Sequence, residues 1–391
     1  MREDLMRLLG EIGPSYGESL LLWEKRSERI KSLYQRYVYG RWRDSSDEEL
    51  SYKLSGSSLL LTVKRLSSGK SVSFSATVTP PADGSYDWSG ERPVVIGMHR
   101  GISEETLSRE GIVVITMDNF SLDIAKDDFS RQGAFYELYP YGSSHREATG
   151  VLMAWAWGCS KLLDALFCGL DGELGASAKK AVVTGVSRWG KAALVCGAFD
   201  KRFFVTAPVC SGAGGAALFG ARSTGIGFDF SELGIDSPYV YGENEPLSCL
   251  QSDGERGWFN DEFLSLREDD FPFDQQLLCS LTGGNGRCLY MVAACTGEDW
   301  VNAPSMWCCF ELTARIFNRL GFENSIACSF HTAGHALIPE DAVRLSELLR
   351  TIQDGGRLEG KMLSSPFSGG KNNELIKSMI MGLSSRELIL D

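Results

Sequence analysis

The residues of this chain with the most direct chemical meaning lie at positions 182–191, which have the sequence VVTGVSRWGK. A β-branched run typical of a strand ends in Gly185-x-Ser187-x-x-Gly190 and is followed directly by helix-forming residues. Such a turn needs glycine near the serine, because larger neighbours would collide in the tight reversal. It exposes the serine Oγ at the positive end of a helix, where a developing oxyanion is stabilised. The segment therefore predicts that Ser187 is a nucleophile.

The glycine spacing of this turn differs from the common Gly-x-Ser-x-Gly elbow of serine hydrolases. The second glycine, Gly190, stands one position late, and Trp189 occupies the usual glycine position. A serine at a strand-to-helix turn can also be a simple N-cap, which is the alternative for Ser187.

The general base must be one of only four histidines. His335 lies in the loop after the last predicted strand, where an α/β-hydrolase keeps its base. His331 directly follows that strand and is the alternative base, although a structural role also fits it. His145 precedes a helix and is expected to cap or pack. His99 resembles the start of an oxyanion loop, with a solvated loop histidine as the alternative.

The acid of a hydrolase triad is expected between the serine and the histidine in the chain. The loop at residues 295–304 has the sequence CTGEDWVNAP and presents Glu298 and Asp299 side by side. Adjacent loop side chains point apart, so only one is expected to orient the imidazole. We favour Glu298; the alternative is that both are solvated loop acids.

The composition limits the partners and the compartment of the protein. A net charge of −12 over 391 residues argues against nucleic acid or an anionic membrane as a partner. Arg188 and Lys191 form a local basic exception. The N-terminus lacks the apolar region of a signal peptide, and no apolar run is expected to approach a membrane span. The chain is predicted to be cytoplasmic, or secreted if an upstream signal has been removed.

The 11 cysteines are an odd number and lie mostly in apolar segments. They are expected to be small buried residues in a reducing compartment. No cysteine or histidine spacing matches a zinc site, so no metal and no cofactor are predicted.

The pattern of apolar runs predicts an α/β fold. Helices are expected at 20–39 and 150–170 and an antiparallel pair of strands at 59–63 and 72–78, whereas six buried strands are expected at 93–98, 112–117, 182–186, 204–209, 289–294 and 325–330. Their alternation with helix-length segments predicts a three-layer αβα sandwich with a mostly parallel sheet. The chemistry of such sheets lies beyond the carboxyl ends of the strands, here after Met98, Val186, Ala294 and Phe330.

No linker or repeat divides the chain, so one domain over residues 1–391 is predicted. Residues 1–50 are expected to form a helical extension. The tail at 357–391 is unassigned, apart from a predicted helix at 373–383.

The chain resembles the glucuronoyl esterases, carbohydrate esterase family 15, in their bacterial form. The resemblance extends from about residue 23 to 339 and rests on several segments in the same order. They are WEKR at 23–26, GAFYELY at 133–139, MAWAWG at 153–158, GVSRWGK at 185–191, SGAGG at 211–215, WFN at 258–260 and PFD at 272–274.

This resemblance implies an α/β-hydrolase fold and the cleavage of esters of 4-O-methyl-glucuronic acid, the linkage between glucuronoxylan and lignin alcohols in plant biomass. The implied substrate is a glucuronate ester or a glucuronoxylan-derived oligosaccharide. By motif match Ser187 is the nucleophile, His335 the base and Arg188 an oxyanion-side contact. The positions matched to sugar binding are Lys191, Glu255 and Trp300. Without the resemblance, Glu255 would be an exposed acid and Trp300 a packing aromatic.

The chain departs from the family pattern at three places. Cys210 stands where many members have the catalytic glutamate, so the acid is expected from the 295–304 loop, as in some bacterial members. Leu247 stands where many fungal members have a sugar-binding glutamine. The two cysteines of a fungal disulfide are replaced by Val186 and Ala336.

These departures leave two alternatives to a glucuronoyl esterase. One is an esterase for another carbohydrate or aryl ester, and the other is an inactive carbohydrate-binding relative.

Overall fold

A computed structural model of the protein describes residues 16–99, 101–117, 124–142, 144, 147–267 and 273–383. Its centre is a nine-stranded sheet, and a separate two-stranded hairpin lies apart from it. The strands are β1 (Glu48–Ser55), β2 (Ser58–Arg65), β3 (Ser71–Thr79), β4 (Val94–Met98), β5 (Val113–Met117), β6 (Ala181–Val186), β7 (Val205–Val209), β8 (Gly227–Phe228), β9 (Tyr239–Val240), β10 (Cys288–Ala294) and β11 (Ile326–His331).

The order of strands in the large sheet is β1-β2-β3-β5-β4-β6-β7-β10-β11. The first three strands are antiparallel, and β3 pairs antiparallel with β5. From β5 to β11 all neighbours are parallel. The six parallel strands therefore end at one common edge, which is where the fold places its functional loops.

Helices flank the sheet on its two faces and connect the parallel strands. They are α1 (Tyr16–Tyr34), α2 (Glu104–Arg109), α3 (Ala134–Leu138), α4 (Val151–Ala165), α5 (Asp171–Leu174), α6 (Arg188–Phe199), α7 (Leu247–Leu250), α8 (Gln276–Ser280), α9 (Ala303–Leu320), α10 (Pro339–Gln353) and α11 (Gly370–Leu383). Short π-helical turns extend α1 over Gln35–Tyr39 and α4 over Leu166–Leu170. This arrangement is the α/β-hydrolase fold that the resemblance implies.

All eight strands expected from the sequence are present, with ends shifted by a few residues at most. The six parallel strands are buried along most of their length, which explains their continuous apolar runs. Strand β1 was not predicted. It lies at the edge of the sheet, and its side chains are only half-buried on one face and exposed on the other, so no apolar run marks it.

The helix expected at 20–39 is present as α1 and its π-helical turn, whereas residues 48–50 of the expected helical extension belong to strand β1. Helix α1 and its π-helical turn are followed by strand β1 from Glu48 onward. Ile30, Tyr34 and Tyr39 are buried in the core, and the Tyr39 hydroxyl donates to the Gly214 carbonyl at 2.9 Å. The described part of this segment is thus packed against the body of the fold.

The helical stretch Val151–Leu174 is the single one among the described residues that is long and apolar enough to cross a membrane. The expectation that no apolar run approaches such a length is therefore wrong. Within the fold, 83% of its most apolar 18-residue stretch is buried, as in the core helix of a globular domain. It packs against strands β1, β2 and β4 and against α6.

The C-terminal tail adds a further packed helix, α11, which begins three residues before the predicted one. Ile376, Ile380 and Leu383 bury its apolar side. None of the 11 cysteines forms a disulfide. Nine are buried as expected, whereas Cys168 is exposed and Cys249 partly exposed.

Candidate active site

Ser187 lies at the sharp turn between β6 and α6, as the sequence predicts. Its backbone has φ 62° and ψ −126°, a conformation that non-glycine residues rarely adopt and that recurs at functional turns. Its amide donates to the Val209 carbonyl at 2.8 Å, which fastens the turn to β7. Its side chain makes no capping hydrogen bond. The Oγ is therefore available for chemistry, and the N-cap alternative has no support in this geometry.

The late second glycine of the elbow has a packing reason. A Cβ on Gly190 would lie 2.7 Å from the Val209 carbonyl oxygen, so the helix can approach β7 this closely only with glycine there. Trp189, at the usual glycine position, is buried, and its ring lies 4.4 Å from the His99 ring and 6.3 Å from the Trp155 ring. His99 thus packs beside the elbow.

His335 and Glu298 meet at the carboxyl edge of the sheet. The His335 Nδ1 lies 3.2 Å from the Glu298 Oε2, and both side chains are 31% exposed. Their loops follow the neighbouring strands β11 and β10, whose register pairs Ala294 with His331. Burial lowers the pKa of His335, the Glu298 carboxylate opposes that change, and the positive charges of Lys191 and Arg188 add to it. The imidazole therefore stays in its neutral, proton-accepting form at a lower pH than an ordinary histidine does.

His331, the alternative base, is occupied in bracing the loop of His335. Its Nε2 lies 3.2 Å from the Asp341 Oδ2 and 3.3 Å from the Ala336 carbonyl oxygen. Its Nδ1 accepts from the Ala333 amide at 3.2 Å. These contacts at both ends of residues 333–336 give His331 a structural position, with Asp341 as its carboxylate partner.

The two adjacent acids of the β10 loop have different surroundings. Both Asp299 oxygens accept hydrogen bonds, one from the Tyr239 hydroxyl at 2.6 Å and the other from the Gly242 amide at 2.7 Å. Asp299 therefore anchors its loop to β9 and to the residues that follow it. Glu298 points to His335 instead, so the structure brings together the pair that we favoured.

Cys210 is buried after β7, between the strand of the nucleophile and the strand of the acid loop. Its backbone has φ 44°, and its amide donates to the Val292 carbonyl at 2.8 Å. Burial raises the pKa of its thiol to about 12, so the side chain is neutral. A carboxylate at this position would reach the histidine from β7, and here the carboxylate comes from the next strand, β10.

Arg188 is fixed beside the elbow. Its Nη1 donates to the Asp127 Oδ2 at 2.9 Å, and the other Asp127 oxygen accepts from the Trp258 indole at 2.7 Å. The guanidinium also lies 4.9 Å from the Trp258 ring centre. The side chain is partly exposed and is therefore both positioned and accessible.

Lys191 lies one turn into α6, and its amide donates to the Ser187 carbonyl at 3.0 Å. The ammonium group is buried and donates to the Glu245 Oε2 at 2.7 Å and to the Ala213 carbonyl at 2.5 Å. Burial and the nearby Glu245 carboxylate raise the pKa of Glu255 to about 7, although Lys191 opposes this. The Glu255 Oε2 is shielded from water and has no hydrogen-bond partner among the described residues.

Glu245 is a site residue that the sequence analysis missed. Its amide donates to the Trp300 carbonyl at 3.0 Å, and this contact connects the Lys191 partner to the acid loop. Trp300 itself is 42% exposed, as a stacking surface for a ligand would be. No local pattern separates Glu245 from the exposed Glu243, because only the tertiary fold brings one of them to the lysine.

Other predicted positions do not add to this cluster. Leu247 is buried at the start of α7. His145 lies outside the described residues. Within the described part of the chain, no three histidine, cysteine or acidic side chains come together as metal ligands.

The chain is similar to known esterases along most of its length. The family model described as glucuronyl esterase, fungi, matches residues 63–321. A multidomain esterase of Ruminococcus flavefaciens is 45% identical over 361 residues, covering 90% of this chain and 47% of that protein. A 4-O-methyl-glucuronoyl methylesterase of Hypocrea jecorina is 30% identical over 358 residues, covering 89% of this chain and 69% of that protein. The chain thus spans about half of the length of the first of these relatives.

Solved structures show the same similarity. A carbohydrate esterase family 15 glucuronoyl esterase from Caldicellulosiruptor kristjansonii superposes with a TM-score of 0.78 at 36% identity, covering 90% of both chains. The glucuronoyl esterase catalytic domain from Hypocrea jecorina superposes with a TM-score of 0.68 at 27% identity, covering 87% of this chain and 86% of that one.

Proposed function

The chain belongs to the glucuronoyl esterase family, and we propose that it hydrolyses esters of 4-O-methyl-glucuronic acid through an acyl-enzyme on Ser187. The observation that carries this proposal is that the His335–Glu298 pair and the Lys191 cluster both lie near the elbow of Ser187. The His335–Glu298 pair lies at the same sheet edge as Ser187, and Lys191 extends from the first turn of the helix that Ser187 begins.

In acylation the Ser187 Oγ attacks the carbonyl carbon of the uronate ester, and His335 accepts the serine proton. The tetrahedral intermediate collapses as the bond to the alcohol oxygen breaks, and the imidazolium returns its proton to that oxygen. Glu298 orients the ring and stabilises the imidazolium without taking the proton. Deacylation repeats these steps with water as the nucleophile and frees Ser187 and glucuronate.

The negative oxygen of the intermediate needs hydrogen-bond donors at the elbow. The amide of Arg188, the residue after the nucleophile, has no intrahelical partner at the start of α6 and is the expected backbone donor. The positive end of this 12-residue helix favours the same charge. The Arg188 guanidinium, held by Asp127, adds a cation on that side.

The sugar part of the substrate is expected beside the elbow. Lys191 and Glu255 can hydrogen-bond ring hydroxyls, and the exposed Trp300 face can pack on a pyranose. Among related structures, a Ser→Ala variant of the Sporotrichum thermophile enzyme is described in complex with methyl 4-O-methyl-β-D-glucopyranuronate. We propose that the larger substrate is a glucuronoxylan-derived oligosaccharide that carries such an ester.

A second candidate is an esterase for another carbohydrate or aryl ester, and one observation favours it. Leu247 supplies an apolar, buried side chain where many fungal members have a hydrogen-bonding glutamine. The two candidates differ in the ratio of kcat/KM for benzyl glucuronate to kcat/KM for an aryl acetate. A glucuronoyl esterase favours the glucuronate, and a simple aryl esterase favours the acetate.

The direct test of the proposed function is the hydrolysis of benzyl glucuronate by the purified chain. We expect turnover with a burst of benzyl alcohol where deacylation is slow. An aryl acetate as the preferred substrate would support the second candidate, and an absence of turnover with both would leave only a binding protein.

A further inference from the structure

A buried ion pair underlies the sugar side of the site. The Lys191 ammonium and the Glu245 carboxylate are 2.7 Å apart, and their side chains are only 3% and 5% exposed. The Ala213 carbonyl accepts a second hydrogen bond from the ammonium at 2.5 Å. A buried pair with these contacts is fixed in place, because removing either partner would leave an uncompensated charge.

A third ionisable group, Glu255, joins this pair. Four charged or titratable groups lie near its carboxyl. Glu245 and Cys249 are acidic groups, and Lys191 and Arg188 are cations. Two neighbouring carboxyl groups in a half-buried site disfavour a state in which both are ionised. Burial and the neighbouring Glu245 carboxylate raise the pKa of Glu255, so the proton resides on Glu255.

Glu245 is held rigidly enough to act on its neighbours. The preceding residue, Asn244, accepts from the Ser223 amide at 2.7 Å and donates to the Asp299 carbonyl at 2.9 Å. The Glu245 amide is itself bound to Trp300. The segment is therefore clamped to the loop that carries Glu298 and Trp300.

We infer that Glu245 is a positioning residue of the sugar subsite: it fixes Lys191 and keeps a proton on Glu255, so that Glu255 offers the uronate ring a hydroxyl donor instead of a second negative charge. This inference rests on the proposed function. The Glu255 Oε2 is buried and has no hydrogen-bond partner among the described residues, so the carboxyl has an unused hydrogen-bonding position that a small movement of the side chain can offer to the substrate. Lys191 and Glu255 then present two donors to the ring hydroxyls.

The consequence is a dependence of sugar recognition on pH. The pKa of Glu255 is raised to about 7, so the donor is present below that pH and is lost above it. For a glucuronate ester, kcat/KM is expected to fall above pH 7, approaching a slope of about tenfold per pH unit. This fall above pH 7 is the alkaline limb of the pH profile. An aryl acetate does not occupy the sugar subsite, so its kcat/KM is not expected to show that limb.

The experiment measures kcat and KM for methyl glucuronate and an aryl acetate from pH 5 to about pH 9 in wild type, Glu255→Gln, Glu245→Gln and Glu243→Gln. Glu255→Gln keeps an N–H donor at every pH, so the alkaline limb on the glucuronate should disappear. Glu245→Gln should move the limb to lower pH. It should also reduce kcat/KM on the glucuronate about tenfold more than on the acetate, mainly through KM. Glu243→Gln is the matched control, because Glu243 is exposed on the same segment.

Three results would each overturn the inference. They are an unmoved limb in Glu245→Gln, a limb that persists in Glu255→Gln, and an equal limb with the aryl acetate. Thermal unfolding of each variant shows whether the fold is kept. If Glu245→Gln does not fold, the pH profile of Glu255→Gln still tests the inference, because the alkaline limb must be absent from it.

A double-mutant cycle adds a second readout. If Glu245 acts through Lys191, Glu245→Gln should cost little more on the glucuronate in a Lys191→Met background. Fully additive losses would contradict positioning through the lysine. The wild-type enzyme separates this inference from the proposed function: no turnover of any glucuronate ester at any pH would overturn both, whereas turnover with none of these pH effects would overturn only the inference.

Discussion

Two buried lysines of this protein, Lys161 in α4 and Lys191 in α6, are each paired with a buried glutamate. The Lys161–Glu48 pair is 2.5 Å long with side chains 1% and 2% exposed, and the Lys191–Glu245 pair is 2.7 Å long. By burial and distance the two pairs look equivalent. They differ in what surrounds them.

The Lys161 network is complete. Glu48 also accepts from the Tyr139 hydroxyl at 2.6 Å and from the Trp157 indole at 2.8 Å, and the ammonium also contacts Asp164 at 2.7 Å. The Lys191 network is incomplete, since it includes Glu255 with a shielded, unpartnered oxygen among the described residues. A satisfied buried network stabilises a fold, whereas an unsatisfied group beside a nucleophile is the observation from which we infer a binding role for the Lys191 network.

The largest expected effect is that of Ser187→Ala, which separates chemistry from structure at the site. Removing one hydroxyl with no capping hydrogen bond should leave the midpoint of thermal unfolding unchanged. Turnover of benzyl glucuronate should fall by at least about ten-thousandfold. A turnover near that of the wild type in purified Ser187→Ala would show that the elbow is not catalytic.

Replacing each buried lysine by methionine tests the comparison itself. Lys161→Met should destabilise the fold by about 3 kcal/mol or more, because Glu48 is left buried without its cation. Its preference for glucuronate over aryl acetate should stay as in the wild type. Lys191→Met should lose at least about tenfold of that preference. Its stability should also fall, because Glu245 is left buried without its cation.

Denaturant unfolding and the ratio of the two kcat/KM values measure both effects. A loss of substrate preference in Lys161→Met, or none in Lys191→Met, would remove the distinction between a structural and a functional lysine.

The adjacent acids of the β10 loop provide a similar contrast on a smaller scale. Glu298→Gln should lower kcat on both substrates by at least about a hundredfold, because it removes the charge that stabilises the imidazolium. Asp299→Asn should reduce stability instead, since Asp299 accepts from Tyr239 and Gly242. Kinetics and unfolding of the two variants measure both effects. A larger effect of Asp299→Asn on kcat would contradict the assignment of catalysis to Glu298 and of loop stability to Asp299.

The acid limb of the pH profile reports on the charges around His335. Burial lowers its pKa, and Lys191 and Arg188 add to this. The neutral base therefore persists below its ordinary pKa of about 6.5, and the acid limb of kcat/KM for an aryl acetate should lie below that pH. Lys191→Met should move the limb to higher pH, and Glu298→Gln should move it to lower pH. An acid limb unchanged by both substitutions would mean that another group titrates.

The smallest expected effect is that of Cys210→Ala. Its thiol is neutral and buried, and the acid is supplied from the next strand. We expect kcat/KM to change by less than about threefold. A large loss would assign the sulfur a part in orienting His335 or the turn after β7.

The site was predictable from the sequence where function and local structure share one signal. The elbow around Ser187 combines a β-branched strand, two glycines and a helix start. His335 follows the last buried strand, and the parallel sheet follows from the continuous apolar runs. These features depend on contacts between near neighbours in the chain, which leave a periodic pattern in the residues.

Other features depended on contacts that only the folded chain makes. The choice of Glu298 over Asp299 was decided by Tyr239 and Gly242, which occupy one of the two acids from another part of the chain. Glu245 entered the site because its segment is clamped to the acid loop and a lysine 54 residues earlier is turned toward it. Strand β1 had no apolar run to reveal it. Composition and periodicity thus determined the sheet, the edge at which its functional loops are expected and the candidate nucleophile. The partners of each charge were decided by long-range packing, which brings distant side chains within hydrogen-bond distance without leaving a local pattern.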